Sequence, residues 1–329
     1  MRKKLPKILV TGGASFIGSE FVRQAVATGY QVVVIDKLTY AGDLHRLAEV
    51  KGKIKFYRTD ICNRSKLDAV FASEKVQSLI HFAAETHVDR SILDATAFIQ
   101  TNILGTQMLL DLSRKYKISR FVHISTDEVY GDIIKGKFKE DFPLKPNSPY
   151  AASKAAADLL IKSYVRTYGF PAIIVRPSNN YGPWQYPEKL IPLTIMKALK
   201  GDKIPVYGNG MNVREWLFVS DSAAGILKVL ENGELGEVYN LGSQQEKHNI
   251  DVVKVILKAM GKKESLIEFV KDRAGHDLRY ALESKKLFNA LNWKPQVKFS
   301  DGIKLTVNWY LAHQSWMLSK WKDISKLYS

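Results

Sequence analysis

Four side chains in the first half of the chain have types and spacings suited to acid–base chemistry. Asp127 and Glu128 follow a short apolar strand, residues 120–125, with Thr126 between strand and acids. In open α/β sheets ligands bind beyond the carboxyl ends of the strands, so Thr126, Asp127 and Glu128 are expected to face such a crevice together. Two carboxyl groups there can act as acid and base on neighbouring atoms. The plainer reading is that Asp127 caps a following helix or turn and Glu128 is solvated. Downstream, Tyr150 and Lys154 in Tyr-Ala-Ala-Ser-Lys open a helix with a small-residue face. Their i,i+4 spacing puts both on one side. An ammonium near the phenol is expected to lower a pKa that starts near ~10, giving a base for an alcohol proton. Tyrosine and lysine at this spacing are common by chance, so the pair takes its weight from what precedes it.

What precedes it is a strand at residues 7–11, halted by Gly12-Gly13, and then a helical pattern of Phe16, Ile17, Phe21, Val22 and Val26. Strand, glycine turn and helix bring backbone N–H groups and a helix N-terminus against a diphosphate. A second strand ends in Asp36, where a carboxylate can accept both hydroxyls of an adenosine ribose. This favours NAD over NADP, although Lys37 beside it is also placed to meet a 2′-phosphate. Strand-like runs at 53–57, 78–83, 120–125 and 172–175 alternate with helical stretches at 64–72, 95–116 and 148–168. The alternation predicts an α/β fold with a Rossmann-type, doubly wound parallel sheet. Asp60-Ile61 and Phe82-Ala83-Ala84 then fall along the same crevice. The polar loop 85–91 either reaches the site or holds the sheet edge. His87 has no His or Cys partner at metal-ligand spacing, so no metal is assigned.

After about residue 180 the elements become short and mixed, rich in Pro, Gly and aromatics. We expect residues 1–180, with return elements from about 219–245, to form the dinucleotide domain, and residues 181–329 mainly a smaller substrate lobe. In the charged loop 272–277, Arg273 is placed to clamp a diphosphate bidentately. Residues 302–320 read as one amphipathic helix bearing Trp309, Tyr310 and Trp316, expected to pack against the lobe.

Composition bounds these readings. The 329 residues are 46% hydrophobic and 25% charged, ordinary for a globular protein. The single cysteine, Cys62, rules out an intramolecular disulfide and suits a reducing compartment, so cytoplasm is expected. No apolar run approaches the ~18 residues of a membrane span. The charged start Met1-Arg2-Lys3-Lys4 leads towards a strand rather than a signal-peptide core. A net charge of +16 raises nucleic-acid binding as a possibility. The lysines are scattered, however, and no nucleic-acid motif accompanies them, which points instead to a surface that favours small anionic substrates.

Taken together, the residues resemble the extended short-chain dehydrogenase/reductase family and, within it, the dTDP-glucose 4,6-dehydratase family. The resemblance runs from Val10-Thr11-Gly12-Gly13 to Thr306-Val307-Asn308-Trp309-Tyr310-Leu311. Its most specific segments are 36–42, 81–91, 125–131, 178–183 and 187–192. It implies NAD as cofactor, a nucleoside-diphosphate sugar as substrate and a homodimer. It implies that Tyr150, with Lys154, takes the sugar 4-hydroxyl proton as C4 is oxidised, that Glu128 removes the C5 proton, that protonated Asp127 donates to the departing C6 hydroxyl, and that Thr126 bonds near C4. For the cofactor it points to Gly12, Ser15, Phe16, Ile17, Gly18, Asp36, Lys37, Leu38, Thr39, Asp60, Ile61, Ala83, Ala84, Thr101 and Asn180, with Tyr150 and Lys154. For the substrate it points to Thr86, Thr126, Asn179, Lys189, Leu190, Pro205, Tyr207, Arg214, Asn249, Arg273 and His276, with both arginines on the diphosphate. A UDP-sugar dehydratase, a 4-epimerase or a non-catalytic dinucleotide-binding regulator are the alternatives on the same fold. Ser15 stands where the family has the second glycine of its turn, and is expected to cost cofactor affinity by crowding. Ala274 stands where proline is usual.

Overall fold

The computed structural model describes residues 5–321; the start Met1-Arg2-Lys3-Lys4 lies outside them. Strands β1 (Lys7–Thr11), β2 (Gln31–Asp36), β3 (Ile54–Arg58), β4 (Ser78–His81), β5 (Arg120–Ile124) and β6 (Ala172–Pro177) belong to one sheet. Three strands then leave it, β7 (Asn179–Tyr181), β8 (Ile204–Tyr207) and β9 (Val213–Phe218). β10 (Val238–Leu241) returns to it, and β11 (Glu246–His248) and β12 (Ile267–Val270) leave again. The sheet order is β10-β6-β5-β4-β1-β2-β3, with every neighbouring pair parallel.

The inner strands are largely apolar because helices cover both faces, whereas edge strand β3 carries Lys55 and Arg58 and has no fully buried residue. Ile8 and Val10 of β1 join Phe21 and Val22 on one side, while Leu9 between them joins Phe71 and Leu109 on the other. From β1 the chain builds outward to β3, then returns to β4 and builds the opposite way. That reversal opens a crevice at the carboxyl ends of β1 and β4, and the ends of β5 and β6 extend it.

The connection from β4 to β5 departs from the single helix expected at 95–116. It runs as Val88–Leu93, Thr96–Phe98, a π-helical turn Ile99–Gly105 and Thr106–Lys115. π-Turns widen a helix locally and gather at functional sites. This one turns the side chain of Asn102 inward to bond Glu85 N and O at 2.9 and 3.0 Å and Ser153 Oγ at 2.8 Å. The polar segment 85–91 is accordingly half helical. His87 caps Val88–Leu93, its Nδ1 accepting from Arg90 N at 3.3 Å.

The remaining strands form a β11-β9-β7 sheet and a β12-β8 pair. Helices Leu190–Lys200, Asn249–Ala259 and Phe299–Ala312 pack with them around Tyr181, Trp216, Phe218, Phe299 and Tyr310. The tail is two helices, Phe299–Ala312 and Gln314–Ser319, broken at His313, whose ring stacks on Trp309 at 4.2 Å. The break lets Trp316 reach beyond this core and donate its indole N–H to Asp43 Oδ2 at 2.8 Å, so the tail also ties down the segment after β2. No helix among the described residues is long and apolar enough to cross a membrane.

Candidate active site

On the β1–β2 side the crevice is built from backbone. Gly12 has φ +69°, and a Cβ there would lie 2.5 Å from Ala83 N, so the turn admits only glycine. Asp36 ends β2 with Oδ2 accepting from Ala14 N (2.9 Å) and Oδ1 from Leu38 N (2.8 Å). Burial raises its pKa and these bonds oppose the rise, so each oxygen remains an acceptor turned to the crevice. Lys37 is bound to Asp60 Oδ2 at 2.6 Å, which engages the cation that would otherwise greet a 2′-phosphate. Phe16, Ile17, Thr39, Ile61, Ala83, Ala84, Thr101 and Asn180 line the same space.

Gly18 and Leu38 do not line it. Gly18 lets the helix Phe16–Thr28 approach the turn, since a Cβ there would lie 2.3 Å from Gly12 O. Leu38 contributes its N–H to Asp36. Ser15 lines the crevice without the backbone strain that a positive φ would bring. Its φ of −76° is ordinary extended backbone, and it caps the helix, donating Oγ–H to Gly12 O at 2.6 Å and accepting from Gly18 N at 3.3 Å.

Arg46 was not legible in the sequence. It is buried and donates to the carbonyls of Ala14, Ala41 and Trp184, joining the turn, the segment after β2 and the lobe. Its neighbours in Leu44–Lys53 include His45, Glu49, Lys51 and Lys53, so nothing in the sequence set this one cation apart.

The second half of the crevice holds the acids. Thr126, not Asp127, caps the short 3₁₀ turn Asp127–Tyr130, accepting from Glu128 N at 3.3 Å. That removes the plain role for Asp127. Its carboxyl is buried, takes one bond from Thr126 Oγ1 (3.2 Å), and has no partner at Oδ2 among the described residues. Burial pushes its pKa well up, and the charges of Glu128 and Glu215 add to the effect. Glu128 is half-buried and also raised by burial, but Arg273, Arg214 and Lys189 oppose the rise. Both carboxyls are therefore raised, Asp127 well above the ordinary value and Glu128 less because three cations oppose its rise, which makes Asp127 the better acid of the pair and Glu128 the one that ionises first.

Tyr150 and Lys154 both line the crevice, and Thr126 hydrogen-bonds the phenol. The expected lowering of the phenol pKa is reversed: burial first, then the charge of Glu128, push it up. The Lys154 ammonium is turned to Ile124 O at 2.7 Å and His123 Nε2 at 3.3 Å, and burial lowers it to about 8.

Of the residues assigned to substrate, Thr86, Thr126, Asn179 and Lys189 line this crevice; Lys189 Nζ donates to Thr86 O at 3.3 Å. Leu190, Pro205, Tyr207, Arg214, Asn249, Arg273 and His276 do not, and belong to an arm on the lobe side. Arg214 donates to Asp277 O at 2.9 Å and lies over the Tyr280 ring at 4.4 Å. Arg273 pairs with Asp89 at 3.5 Å, His276 Nδ1 is 2.6 Å from Asp272 Oδ1, and Tyr207 stands edge-on to His276. Pro205 pairs with Glu268 between β8 and β12, while Leu190 and Asn249 each begin a helix. Asn249 Oδ1 is buried without a partner among the described residues. Arg214 and Arg273 still act electrostatically on Glu128, which places the arm within reach of the acids. Glu188, unassigned from sequence except as part of the 187–192 segment, lines the crevice and meets Tyr40 Oη at 3.3 Å and Arg90 at 3.6 Å.

Residues 9–306 match the family model described as GDP-mannose 4,6 dehydratase. A dTDP-glucose 4,6-dehydratase of Neisseria meningitidis serogroup B is 47% identical over 97% of this chain and 96% of its own length. The crystal structure of DesIV, a dTDP-glucose 4,6-dehydratase of Streptomyces venezuelae with NAD bound, superposes with a TM-score of 0.93 at 46% identity, covering 95% of this chain and 99% of that one. A UDP-glucose 4-epimerase of Thermus thermophilus shares the fold at a TM-score of 0.88 but only 32% identity, over 93% and 99%. With its glycine turn, its Asp-Glu pair and its Tyr-x-x-x-Lys on one crevice, the chain belongs to the dTDP-glucose 4,6-dehydratase family.

Proposed function

We propose that the protein converts dTDP-glucose to dTDP-4-keto-6-deoxyglucose. The observation that carries this reading is the pair Asp127 and Glu128, unequally raised, on one crevice lining with Tyr150 and Lys154. NAD fits the crevice. Gly12 leaves room that a Cβ would fill, Asp36 presents acceptors, and buried polar atoms of Ser125, Ser178, Asn179 and Asn180 on its lining have no partner among the described residues. Gly12, Ser15, Phe16, Ile17, Asp36, Asp60, Ile61, Thr101 and Asn180 would hold it. Bound NAD supplies the hydride acceptor for C4, the donor for C6 and a positive charge in the crevice.

Tyr150 takes the 4-hydroxyl proton, with Thr126 holding the phenol in place and Lys154 supplying cationic charge. Burial and Glu128 favour the protonated phenol, so Tyr150 acts as base only once its own proton has left, and the phenolate that then accepts the 4-hydroxyl proton would draw on the cationic charge of Lys154 and of the bound cofactor. The C4 ketone acidifies the C5 hydrogen, which Glu128 removes as carboxylate, while Asp127 protonates the leaving C6 hydroxyl. Arg214 and Arg273 engage the diphosphate, and Lys189 and Asn179 the sugar side.

We divide the chain into a dinucleotide domain of residues 1–180, with 219–245 returning to it, and a lobe of the remainder. We place the protein in the cytoplasm, on the support of its single cysteine, as a homodimer. Exposed apolar side chains of Leu93, Ile99, Leu104 and Leu159 on the crossover helices and on Pro149–Tyr168 support that association; sedimentation of the purified protein checks it. Incubation with dTDP-glucose and with UDP-glucose, followed by mass spectrometry, tests the activity. Loss of one water from the dTDP-sugar is expected. Loss only from the UDP-sugar moves the specificity, and epimerisation without mass change overturns the dehydratase reading.

A further inference from the structure

Behind Lys154 stands a set of ionisable side chains that the chemistry above does not use. His123 Nε2 lies 3.3 Å from Lys154 Nζ, and the ammonium also donates to Ile124 O at 2.7 Å. Asp158, one turn along the helix from Lys154, puts Oδ1 3.8 Å from the same Nε2, and its Oδ2 accepts from Arg176 Nε at 2.9 Å. His81 faces the His123 ring at 5.1 Å, its own nitrogens bonded to the hydroxyls of Thr11 and Thr106. His123, Asp158 and Arg176 are each 0% exposed.

Three roles are open to this imidazole, and the geometry selects among them. A proton relay needs a chain of groups that can both give and take a proton, but from Asp158 the bonds run to the Arg176 guanidinium, which stays charged, and reach partly buried Glu140 only from that guanidinium to a backbone carbonyl and from the Asn240 backbone N–H. An imidazolium is opposed by burial and by the cations Lys154 and Arg176, which hold the ring neutral. A neutral ring has one acceptor nitrogen. Nε2 faces an ammonium within bonding reach and a carboxylate beyond it, which assigns the lone pair to Nε2 and the proton to Nδ1, itself buried with no partner among the described residues.

We propose that His123 is a positioning residue for Lys154: its Nε2 and the Ile124 carbonyl fix two of the three ammonium protons, which aims the third at the crevice that Tyr150 lines. Asp158 sits close enough to favour the ammonium without bonding it. The role deepens the dehydratase reading and rests on it, because Lys154 is where it acts.

His123→Phe keeps an aromatic ring and removes the acceptor; His123→Gln restores an acceptor near the place of Nε2. The charged groups facing the imidazole are Lys154, Asp158 and Arg176, with His81 held neutral by burial, and burial lowers Lys154 to about 8. Losing an acceptor disfavours the ammonium. The alkaline fall of kcat/KM therefore moves to lower pH in His123→Phe and kcat drops about tenfold, with both recovering in His123→Gln. An unchanged profile and kcat in His123→Phe overturn the inference. Nitrogen-15 NMR of the parent imidazole decides independently of how the variants fold. A neutral Nδ1–H tautomer is expected, with an Nε2 signal that follows the Lys154 titration in the parent and is flat in Lys154→Met. An Nε2–H tautomer or an imidazolium overturns the inference. Failure of the parent to dehydrate dTDP-glucose would strike the functional reading instead, leaving the NMR result on the His123 bond intact.

Discussion

The two sides of the site are held by different physics. Beneath Tyr150 and Lys154 the supports are buried: a strand end, a helix start, the Ile124 carbonyl and the side chains of His123, Asp158 and Arg176. Across the crevice the substrate arm is held by side-chain contacts nearer water, Arg273 to Asp89, His276 to Asp272, Lys189 to Thr86. Proton transfers need groups held to a fraction of an ångström, whereas diphosphate recognition tolerates, and gains on-rate from, charges that can adjust. Damage to the first side should therefore appear in kcat and damage to the second mainly in KM.

The largest effect is expected for Tyr150→Phe, which keeps the ring and removes the phenol. Turnover should fall by a general-base factor of ~10²–10⁴, and single-turnover absorbance should show no reduced nicotinamide. Formation of reduced nicotinamide at the parent rate would assign the first proton transfer elsewhere.

Asp127→Asn should slow the elimination by a similar or smaller factor while leaving C4 oxidation intact, so that reduced nicotinamide accumulates on the enzyme. The raised pKa of Asp127 adds a second readout. A carboxyl raised in the folded state has its full stabilising contribution below the unfolded pKa of ~3.9 and loses it as pH rises towards the folded value. The parent is therefore penalised at neutral pH and the asparagine variant is not. The thermal midpoint of Asp127→Asn should exceed the parent's at pH 7, with the gap closing in acid. A variant less stable at pH 7 would mean that Asp127 is ionised and paired in the fold.

Arg273→Ala removes one charged partner of the diphosphate on the adjustable side. A charge-assisted bond is worth ~1.5–3 kcal/mol, so KM for dTDP-glucose should rise about 10- to 100-fold, while kcat falls by much less than in Asp127→Asn, through the further rise in the Glu128 pKa that loss of the Arg273 charge brings. A fall in kcat as large as that of Asp127→Asn would erase the proposed difference between the two sides.

Legibility followed the same division. The strands of the main sheet were readable because residues buried on both faces leave continuous apolar runs such as Val32-Val33-Val34-Ile35, and their carboxyl ends then located Asp36, Asp60 and Asp127. The relatives' fold and family agree with that reading. What sequence did not show were contacts between distant segments. Arg46 reaches Trp184, Glu188 reaches Tyr40, and Asn102 draws the π-turn into what had looked like one helix. The protonation of Tyr150 was misjudged for a related reason: spacing reveals a neighbouring lysine but not that its protons go to Ile124 and His123, nor that burial dominates.

Ser15 gives the smallest and sharpest case. Its placement in a glycine turn suggested that serine would crowd the cofactor, and that glycine would relieve it. The structure gives Ser15 a φ of −76°, open to any residue, and both hydrogen-bonding capacities of its hydroxyl are used within the turn. No positive-φ strain exists for glycine to remove. The side chain acts as an N-cap, whose loss to alanine typically costs ~0.5–2 kcal/mol and to glycine only a few tenths. Ser15→Ala should therefore lower the thermal midpoint by a few degrees, Ser15→Gly by less, and NAD retained through dialysis should stay within about twofold of the parent in Ser15→Gly. A clear gain in retained NAD on Ser15→Gly would restore the crowding argument, and a clear loss would make the serine hydroxyl a phosphate ligand that leaves Gly12 O when the dinucleotide binds.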